Sequence, residues 1–359
     1  MHFNPTFLAL DWAMFIEKLV LIVVVVMGSL LVAMYCTYGE RKVAGWMQDR
    51  HGPNRAGPFG ILQPLADGVK LFFKEEIIPT YANKFLFILG PVLAMLTAMM
   101  VGAVIPWGDT VHLFGRDISL QIANVNIGLL YIFGVVSLGV YGIMIGGWAS
   151  NNKYSLLGAM RAASQIISYE LAMGISIIAL LMVTGSLSLN VMVDHQKDQV
   201  WNIFYQPLGF LIFLICAFAE TNRTPFDLPE AENELIGGYH AEYSSMKLGF
   251  YLFSEYINMF LSSAVMATLY FGGYDIPFVN DANLVHHIGQ NWTALLEFFS
   301  LFAKILGFIF LFMWVRWTVP RFRYDQLMNL GWKALLPLAL LNMLATGAII
   351  LLKQNNWHF

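Results

Sequence analysis

Apolar runs of about twenty residues recur along the whole 359-residue chain, and each is long enough to cross a lipid bilayer as a helix. Hydrophobic residues make up 58% of the sequence and charged residues only 12%, whereas roughly a quarter of the residues in a soluble domain are charged. We therefore predict an all-α integral membrane protein, a single membrane domain over residues 1–359 without a soluble domain.

The apolar runs predict eight transmembrane helices. Clusters of Gly, Pro and Asn, together with polar stretches such as residues 194–199, mark the connections between them. The predicted spans cover approximately residues 14–37, 84–106, 128–149, 158–184, 204–222, 247–271, 296–319 and 333–352.

Basic residues predict the orientation, because Lys and Arg accumulate in the cytoplasmic loops of membrane proteins. Fifteen of the 20 Lys and Arg residues fall in or beside the odd-numbered loops, and five fall on the other side or toward it. Both termini are therefore expected on the periplasmic side. The long loops 38–83, 222–246 and 320–332 are expected to face the cytoplasm, where a partner can dock.

The first long loop contains a segment with the periodicity of an amphipathic helix, over about residues 60–75. Gln63, Asp67, Lys70 and Lys74 recur on one helical face, and apolar side chains cover the opposite side. Because the segment is short for a span and carries a charged stripe, we predict that it lies in the membrane interface. It either closes the bundle as a surface helix or covers an opening through which an amphiphile enters from the membrane.

The mostly hydrophobic chain becomes densely acidic between its fifth and sixth predicted spans. A carboxylate in or beside lipid costs roughly 3 kcal/mol, and such groups usually mark an ion or proton path. Crowded acids in a low-dielectric region titrate as a coupled group, which suits the coupling of electron transfer to proton movement. The acids of this segment are Glu220, Asp227, Glu230, Glu232, Glu234 and Glu242.

Two further carboxylates lie inside predicted spans, Glu170 among small residues in the fourth and Glu255 on a polar stripe of the sixth. Glu170 can also be a hydrogen-bonded packing acid without a role in proton transfer. Both interpretations are compatible with the sequence.

Some acids of the loop also have a purely structural explanation. Glu220 can form a local ion pair with Arg223, three residues further on. Asp227 and Glu230 can cap the helix that begins near Pro229.

The sequence contains no pattern for a bound redox centre or metal. Cys36 and Cys216 are the only cysteines, and two isolated thiols in apolar runs cannot build a four-ligand metal or iron–sulfur site. No Gly-rich phosphate loop precedes a helix. The formal net charge of −3 does not suggest a nucleic-acid partner. We expect electrons to come from a partner protein.

Five segments carry a resemblance to a known family; they are residues 40–58, 60–74, 152–158, 220–232 and 320–328. The second contains Gly60-Ile-Leu-Gln-Pro-Leu-Ala-Asp-Gly-Val-Lys, and the fourth reads Glu220-Thr-Asn-Arg-Thr-Pro-Phe-Asp-Leu-Pro-Glu-Ala-Glu. Both segments are nearly specific to one family, and the similarity to that family runs through all eight predicted spans. The chain resembles the family of the H-type membrane subunit of the bacterial proton-pumping NADH:quinone oxidoreductase (respiratory complex I), the counterpart of mitochondrial NADH dehydrogenase subunit 1.

The resemblance implies a subunit that joins the peripheral redox arm to the membrane arm and forms most of a long quinone tunnel. At the far end of that tunnel, an iron–sulfur cluster of a partner reduces the quinone. The implied residues of the tunnel and arm junction are Glu40, Arg41, Gln63, Asp67, Lys70, Arg223, Phe226 and Arg321. The implied proton path comprises Glu170, Glu220, Asp227, Glu230, Glu232, Glu234, Glu242 and Glu255.

The same resemblance implies the partners and the location. Quinone is expected as a bound substrate, while NADH, FMN and the iron–sulfur clusters belong to partner subunits on the cytoplasmic face. Small and antiporter-like subunits are expected beside the chain in the bacterial inner membrane. Some relatives carry an additional acid in the third span where Ser137 stands here, so water has to bridge that gap.

Two alternative functions are also compatible with the sequence. A related one is the membrane anchor of an energy-converting hydrogenase or another donor-linked relative, and a more distant one is a stand-alone ion transporter. The Arg-rich and Gly/Pro-rich first loop favours the quinone enzyme over the hydrogenase. Broken helices in matched halves would favour a transporter, and the sequence contains none.

Overall fold

The computed structural model describes residues 12–113, 115–198, 200–229, 232–277, 279 and 287–354. The chain is mostly helical, as expected where backbone groups have no water to bind. Seven helical stretches in these ranges are long and apolar enough to cross a membrane. They are Trp12–Met47, Lys84–Ala103, Gly128–Ala149, Lys153–Thr184, Ser245–Tyr270, Gln290–Thr318 and Tyr324–Gln354.

In chain order, the α-helices and strands are as follows. They are α1 (Trp12–Met47), α2 (Gln63–Phe73), α3 (Lys84–Met100), β1 (Thr110–Leu113), β2 (Arg116–Ser119), α4 (Gly128–Ala149), α5 (Lys153–Thr184), α6 (Leu189–Asp198), α7 (Asn202–Tyr205), α8 (Pro207–Glu220), α9 (Glu232–Leu235), α10 (Ser245–Tyr270), α11 (Gln290–Thr318), α12 (Tyr324–Asn329) and α13 (Leu336–Gln354). A π-helical turn, Leu330–Leu335, joins the last two, and short 3₁₀ turns cover Pro58–Gly60, Val101–Ala103 and Gly238–His240.

The fifth predicted span corresponds to α8, which is apolar but has only 14 residues. About 20 residues are needed to cross the hydrocarbon core upright. The multi-pass helical architecture is therefore confirmed, whereas the count of eight spans stays a prediction.

Helix α1 continues ten residues past the predicted end of the first span at residue 37. The charged residues Glu40, Arg41 and Lys42 end the apolar run, but all three residue types are good helix formers, so the backbone remains helical. This extension places both the buried Glu40 and the exposed Arg41 on the same continuous helix as the first span.

A two-stranded antiparallel hairpin, β1 paired with β2, follows the second long helix. Thr110 pairs with Ser119 and Leu113 with Arg116. The hairpin is not predicted from the sequence, because four-residue strands are too short to show a period. The polar stretch 194–199 lies between the long helix α5 and the apolar helix α8, as predicted for a connection, and the short helix α6 extends into it through Asp198.

Helix α5 is central and packs against α4, α8 and α13. Its first turn is capped by the Asn152 side chain, which accepts a hydrogen bond from the Tyr154 amide at 2.9 Å. Tyr169 donates its hydroxyl to the carbonyl of Leu327 at 2.9 Å, just before the π-helical turn. The carboxylate of Glu170 is thus mounted on a helix that is surrounded by other helices.

Glycines allow α3 and α4 to approach closely, as is common between membrane helices. A Cβ atom on Gly142 would lie 2.8 Å from the amide nitrogen of Ala94, and one on Gly90 would lie 2.9 Å from the Cα of Gly146. No side chain fits at either position without moving a backbone.

We expect Gly142→Leu to destabilise the protein by about 3 kcal/mol, because overpacking here has to separate two helices. The amount of folded protein extracted in mild detergent and its thermal midpoint measure the effect. Gly134→Leu on the same helix is the matched control, since nothing lies within 4 Å of a Cβ there. Equal losses for both variants would contradict the packing argument.

Candidate functional site

A buried ionic cluster near the C-terminal end of α1 joins this helix to three segments that are distant from it in sequence. Glu40 is 6% exposed, and its two carboxylate oxygens face two different arginines. Oε2 lies 3.0 Å from Nη1 of Arg223, in the loop after α8, and Oε1 lies 2.5 Å from Nη1 of Arg316 on α11. Tyr256 on α10 donates its hydroxyl to Oε2 at 2.9 Å. The cluster therefore ties α1, α10, α11 and the acidic loop together.

Arg223 is 5% exposed and retains hydrogen-bonding capacity. Its guanidinium lies 4.1 Å from the centre of the Tyr256 ring, within cation–π distance. Among the described residues, its Nε and Nη2 atoms are buried and have no hydrogen-bond partner. Burial opposes the charge, but Tyr256, Glu40 and Glu255 raise the pKa of Arg223 above its ordinary value, so it stays a cation.

The local ion pair considered for Glu220 and Arg223 is wrong, because Arg223 instead pairs with Glu40, 183 residues earlier. The two unpartnered donors of Arg223 can bind an acceptor oxygen of another molecule. An unpaired buried donor costs about 1–3 kcal/mol, which an incoming acceptor can recover.

Helix α2 is attached to α1 by a second, more exposed ion pair. Arg41 Nη1 lies 2.7 Å from Asp67 Oδ2, with half of the Arg41 side chain exposed. Gln63 donates its amide to Oδ1 of Asp67 at 3.3 Å, and Lys70 is exposed. Apolar residues of α2 are also exposed, Phe73 by 87%. Both the polar and the apolar face of α2 are therefore accessible.

The remaining predicted tunnel residues, Phe226 and Arg321, lie at or near the segment that precedes α12. Phe226 is 4% exposed and packs edge-on against Tyr169, with ring centres 5.4 Å apart. Gln165 of α5 donates to its carbonyl at 2.8 Å. Arg321 is half-buried and precedes Phe322, whose ring lies 5.6 Å from that of Phe226. The Phe226 side chain is thus part of the packed interior.

The predicted membrane carboxylates lie along two small internal cavities. One, of about 40 Å³, is lined by both Glu220 and Glu255, and the other, of about 30 Å³, is also lined by Glu220. Asn258 of α10 lines both. Since a water molecule needs roughly 10–15 Å³ of such volume, each cavity has room for two or three waters between polar groups.

Glu170 connects to the same region from α5. It accepts a hydrogen bond from the hydroxyl of Ser137 on α4 and interacts electrostatically with Glu220. Ser137 therefore contacts Glu170 directly. Together, Glu170, Glu220 and Glu255 form a half-buried carboxylate row across three helices.

The other acids of the loop that the structure describes do not line these cavities. Glu234 is 43% exposed and pairs with Arg161 at 2.6 Å, and Glu242 accepts a hydrogen bond from the Asn152 side chain at 2.6 Å. Asp227 is half-buried. Glu230 and the side chain of Glu232 lie outside the described residues. Within the described part of the chain, no group of three or more His, Cys, Asp and Glu side chains is placed to hold a metal ion.

Arg316 and Tyr256 complete the cluster around Glu40, and neither is predicted as a site residue from the sequence. Arg316 contributes only to the charge asymmetry that predicts the orientation, and Tyr256 directly follows Glu255 without a motif of its own. A charge at the end of a span is a signal too common to single out one arginine.

Comparison with known proteins gives consistent results over nearly the full chain. A family model described as NADH dehydrogenase matches residues 19–347. The chain is 65% identical over 337 residues to an H-type NADH-quinone oxidoreductase subunit of Cytophaga hutchinsonii, covering 94% of this chain and 97% of that protein. It is 64% identical to the H-type subunit of Flavobacterium johnsoniae, over 95% and 97% of the two chains. A more distant relative, an H-type subunit of Geobacter metallireducens, is 48% identical over 96% and 99%.

Proposed function

Since this chain belongs to the H-type subunit family of NADH-quinone oxidoreductase, we propose that its first and acidic loops form much of a quinone tunnel and that its buried carboxylates couple quinone reduction to proton translocation. As a family member it is a multi-pass membrane subunit of respiratory complex I, and it acts with other subunits of that oxidoreductase. Relatives named for this enzyme, at 64–65% identity, weigh against a hydrogenase anchor or a stand-alone transporter.

We also propose how the chain lies in the bacterial inner membrane. It forms one membrane domain of eight spans, with the short helix α8 as the fifth and both termini on the periplasmic side. The loops of the opposite face then receive the peripheral iron–sulfur and quinone-site subunits, which carry NADH, FMN and the clusters. Small and antiporter-like subunits lie beside the chain in the bilayer, and α2 lies in the membrane interface.

The observation that carries the quinone role is the buried Arg223 with two unpartnered donors beside Glu40, among the described residues. A quinone head group offers two carbonyl oxygens that accept hydrogen bonds, and reduction places negative charge on them. A fixed guanidinium binds both forms and strengthens its interaction as that charge develops. Glu40 and the ring of Tyr256 hold the guanidinium in place, and Arg316 holds the other oxygen of Glu40. The Arg41–Asp67 ion pair attaches α2 to α1, and Gln63 donates a hydrogen bond to Asp67.

The proton role is supported by the carboxylate row and its cavities. Reduction of quinone to quinol consumes two electrons and two protons, so acids that line the route have to exchange protons during turnover. Glu255 and Glu220 share one cavity, Glu220 lines the next, and Glu170 interacts with Glu220. Cavities of this size hold the few waters that proton transfer between separated carboxylates needs.

A photoreactive quinone tests the proposal directly. The complex is purified through this chain in mild detergent, illuminated with an azidoquinone, and the labelled peptides are mapped. We expect labels in 38–74 or 221–229, reduced by excess natural quinone. Labelling confined to other subunits, or not reduced by competition, contradicts the tunnel assignment.

We also expect Arg41→Ala to lower NADH:quinone turnover about threefold, while NADH oxidation by an artificial acceptor stays normal. The effect is modest because a half-exposed ion pair contributes only about 0.2–1 kcal/mol. Steady-state rates with both acceptors measure it, and Arg50→Ala in the same loop is the control. Equal loss of both activities would indicate failed assembly instead.

A further inference from the structure

Tyr239 lies in the acidic loop, in the 3₁₀ turn Gly238–His240, and is 1% exposed. The three residues before it, Ile236, Gly237 and Gly238, have positive φ angles, which fold the chain inward. The turn packs directly on α5, because Gly158 there has no side chain: a Cβ would lie 2.9 Å from the Tyr239 nitrogen. The position of Tyr239 is therefore fixed by backbone contacts.

Its hydroxyl donates a hydrogen bond to Oε1 of Glu255 at 2.9 Å. Both residues line the cavity of about 40 Å³ that Glu220 also lines. The ring is held edge-on against Tyr251, with centres 5.1 Å apart. A rigid donor thus contacts one oxygen of a carboxylate at the wall of the cavity.

Two neighbouring tyrosines use their hydroxyls differently. Tyr243 donates to the carbonyl of Gly146 at 3.2 Å, and Tyr251 donates to that of Gly142 at 3.1 Å. Both bonds attach the loop and α10 to α4 and are structural. Tyr239 belongs to the same aromatic cluster as these two tyrosines, but its hydroxyl donates to a carboxylate that lines a cavity.

We propose that Tyr239 is a positioning residue for Glu255, holding one carboxylate oxygen so that the group remains in reach of the cavity waters that lead to Glu220. This inference rests on the proposed proton role of the carboxylate row. Without the hydroxyl, the Glu255 side chain samples several rotamers, and only some of them place its carboxyl group at the cavity. Proton exchange then slows, while the quinone site around Arg223 keeps its contacts.

The test is a double-mutant cycle in the assembled complex, comparing Tyr239→Phe, Glu255→Gln and the double variant. We expect Tyr239→Phe to lower the kcat of NADH:quinone turnover about tenfold, since the hydrogen bond that holds the Glu255 carboxyl group is lost. The KM for quinone and NADH oxidation by an artificial acceptor should stay unchanged. The double variant should be no slower than Glu255→Gln alone, because Tyr239 acts through that carboxylate.

Tyr243→Phe is the matched control and should retain kcat within about twofold, since its hydroxyl bonds a backbone carbonyl. If Tyr239→Phe is as active as the wild type while Glu255→Gln is impaired, the positioning role is wrong and the proton path stands. If Glu255→Gln is fully active, the proton path itself fails at this residue. Additive losses in the double variant, or a raised KM, would show that Tyr239 acts elsewhere.

Discussion

Replacing Glu220 with glutamine should lower NADH:quinone turnover about tenfold to a hundredfold, with a parallel loss of proton pumping, in a complex that still assembles. The amide has the shape of the carboxyl group but cannot take up or release a proton, and acid–base groups contribute factors of this order or more. Glu220 lines both internal cavities and interacts with Glu170, so its loss interrupts the row at its middle.

The measurement uses purified complex in proteoliposomes, with the rate of NADH oxidation by quinone and the dye-detected pH gradient recorded together. Glu75→Gln, exposed in the first loop, is the control for loss of a carboxylate without loss of the row. Normal turnover and pumping in Glu220→Gln would remove that residue from the proton path.

Replacing Arg223 with methionine should lower quinone turnover about tenfold, because the buried guanidinium supplies charge-assisted hydrogen bonds. NADH oxidation by an artificial acceptor should be unchanged, because we expect the flavin and clusters in other subunits. Methionine keeps much of the volume of the side chain, and Arg316 still faces Glu40, so the carboxylate keeps one cation.

Steady-state kinetics with quinones of different tail length measure this effect, and Arg116→Met, at an exposed position of strand β2, is the control. A loss that is the same for quinone and for the artificial acceptor would mean that Arg223 supports assembly. Unchanged quinone kinetics would mean that its two buried donors serve no substrate.

The local features of the fold are largely predictable from the sequence. The third span, residues 128–149, coincides with α4, because polar residues lie close to both ends of its apolar run, Asn126 before it and Ser150 after it. The first span is predicted too short, since hydropathy stops at residue 37 while helix propensity continues to Met47. The β1–β2 hairpin has no period to detect over four-residue strands.

The site is only partly predictable, because its contacts join residues distant in sequence. The family motifs mark Glu40 and Arg223, but neither motif indicates that the two side chains pair across 183 positions. Local spacing instead suggests a Glu220–Arg223 pair, and the fold gives Arg223 a better buried partner. Ser137 of α4 contacts Glu170 of α5, which no single-sequence pattern reveals.

The central claim is that carboxylates of the membrane domain change protonation when quinone is reduced. An infrared difference spectrum between NADH-reduced and oxidised complex, taken in the region of protonated carboxyl groups, tests it most directly. We predict a redox-dependent carboxyl band that is lost or shifted in Glu220→Gln and retained in Glu75→Gln. A spectrum identical in wild type and Glu220→Gln would contradict the claim.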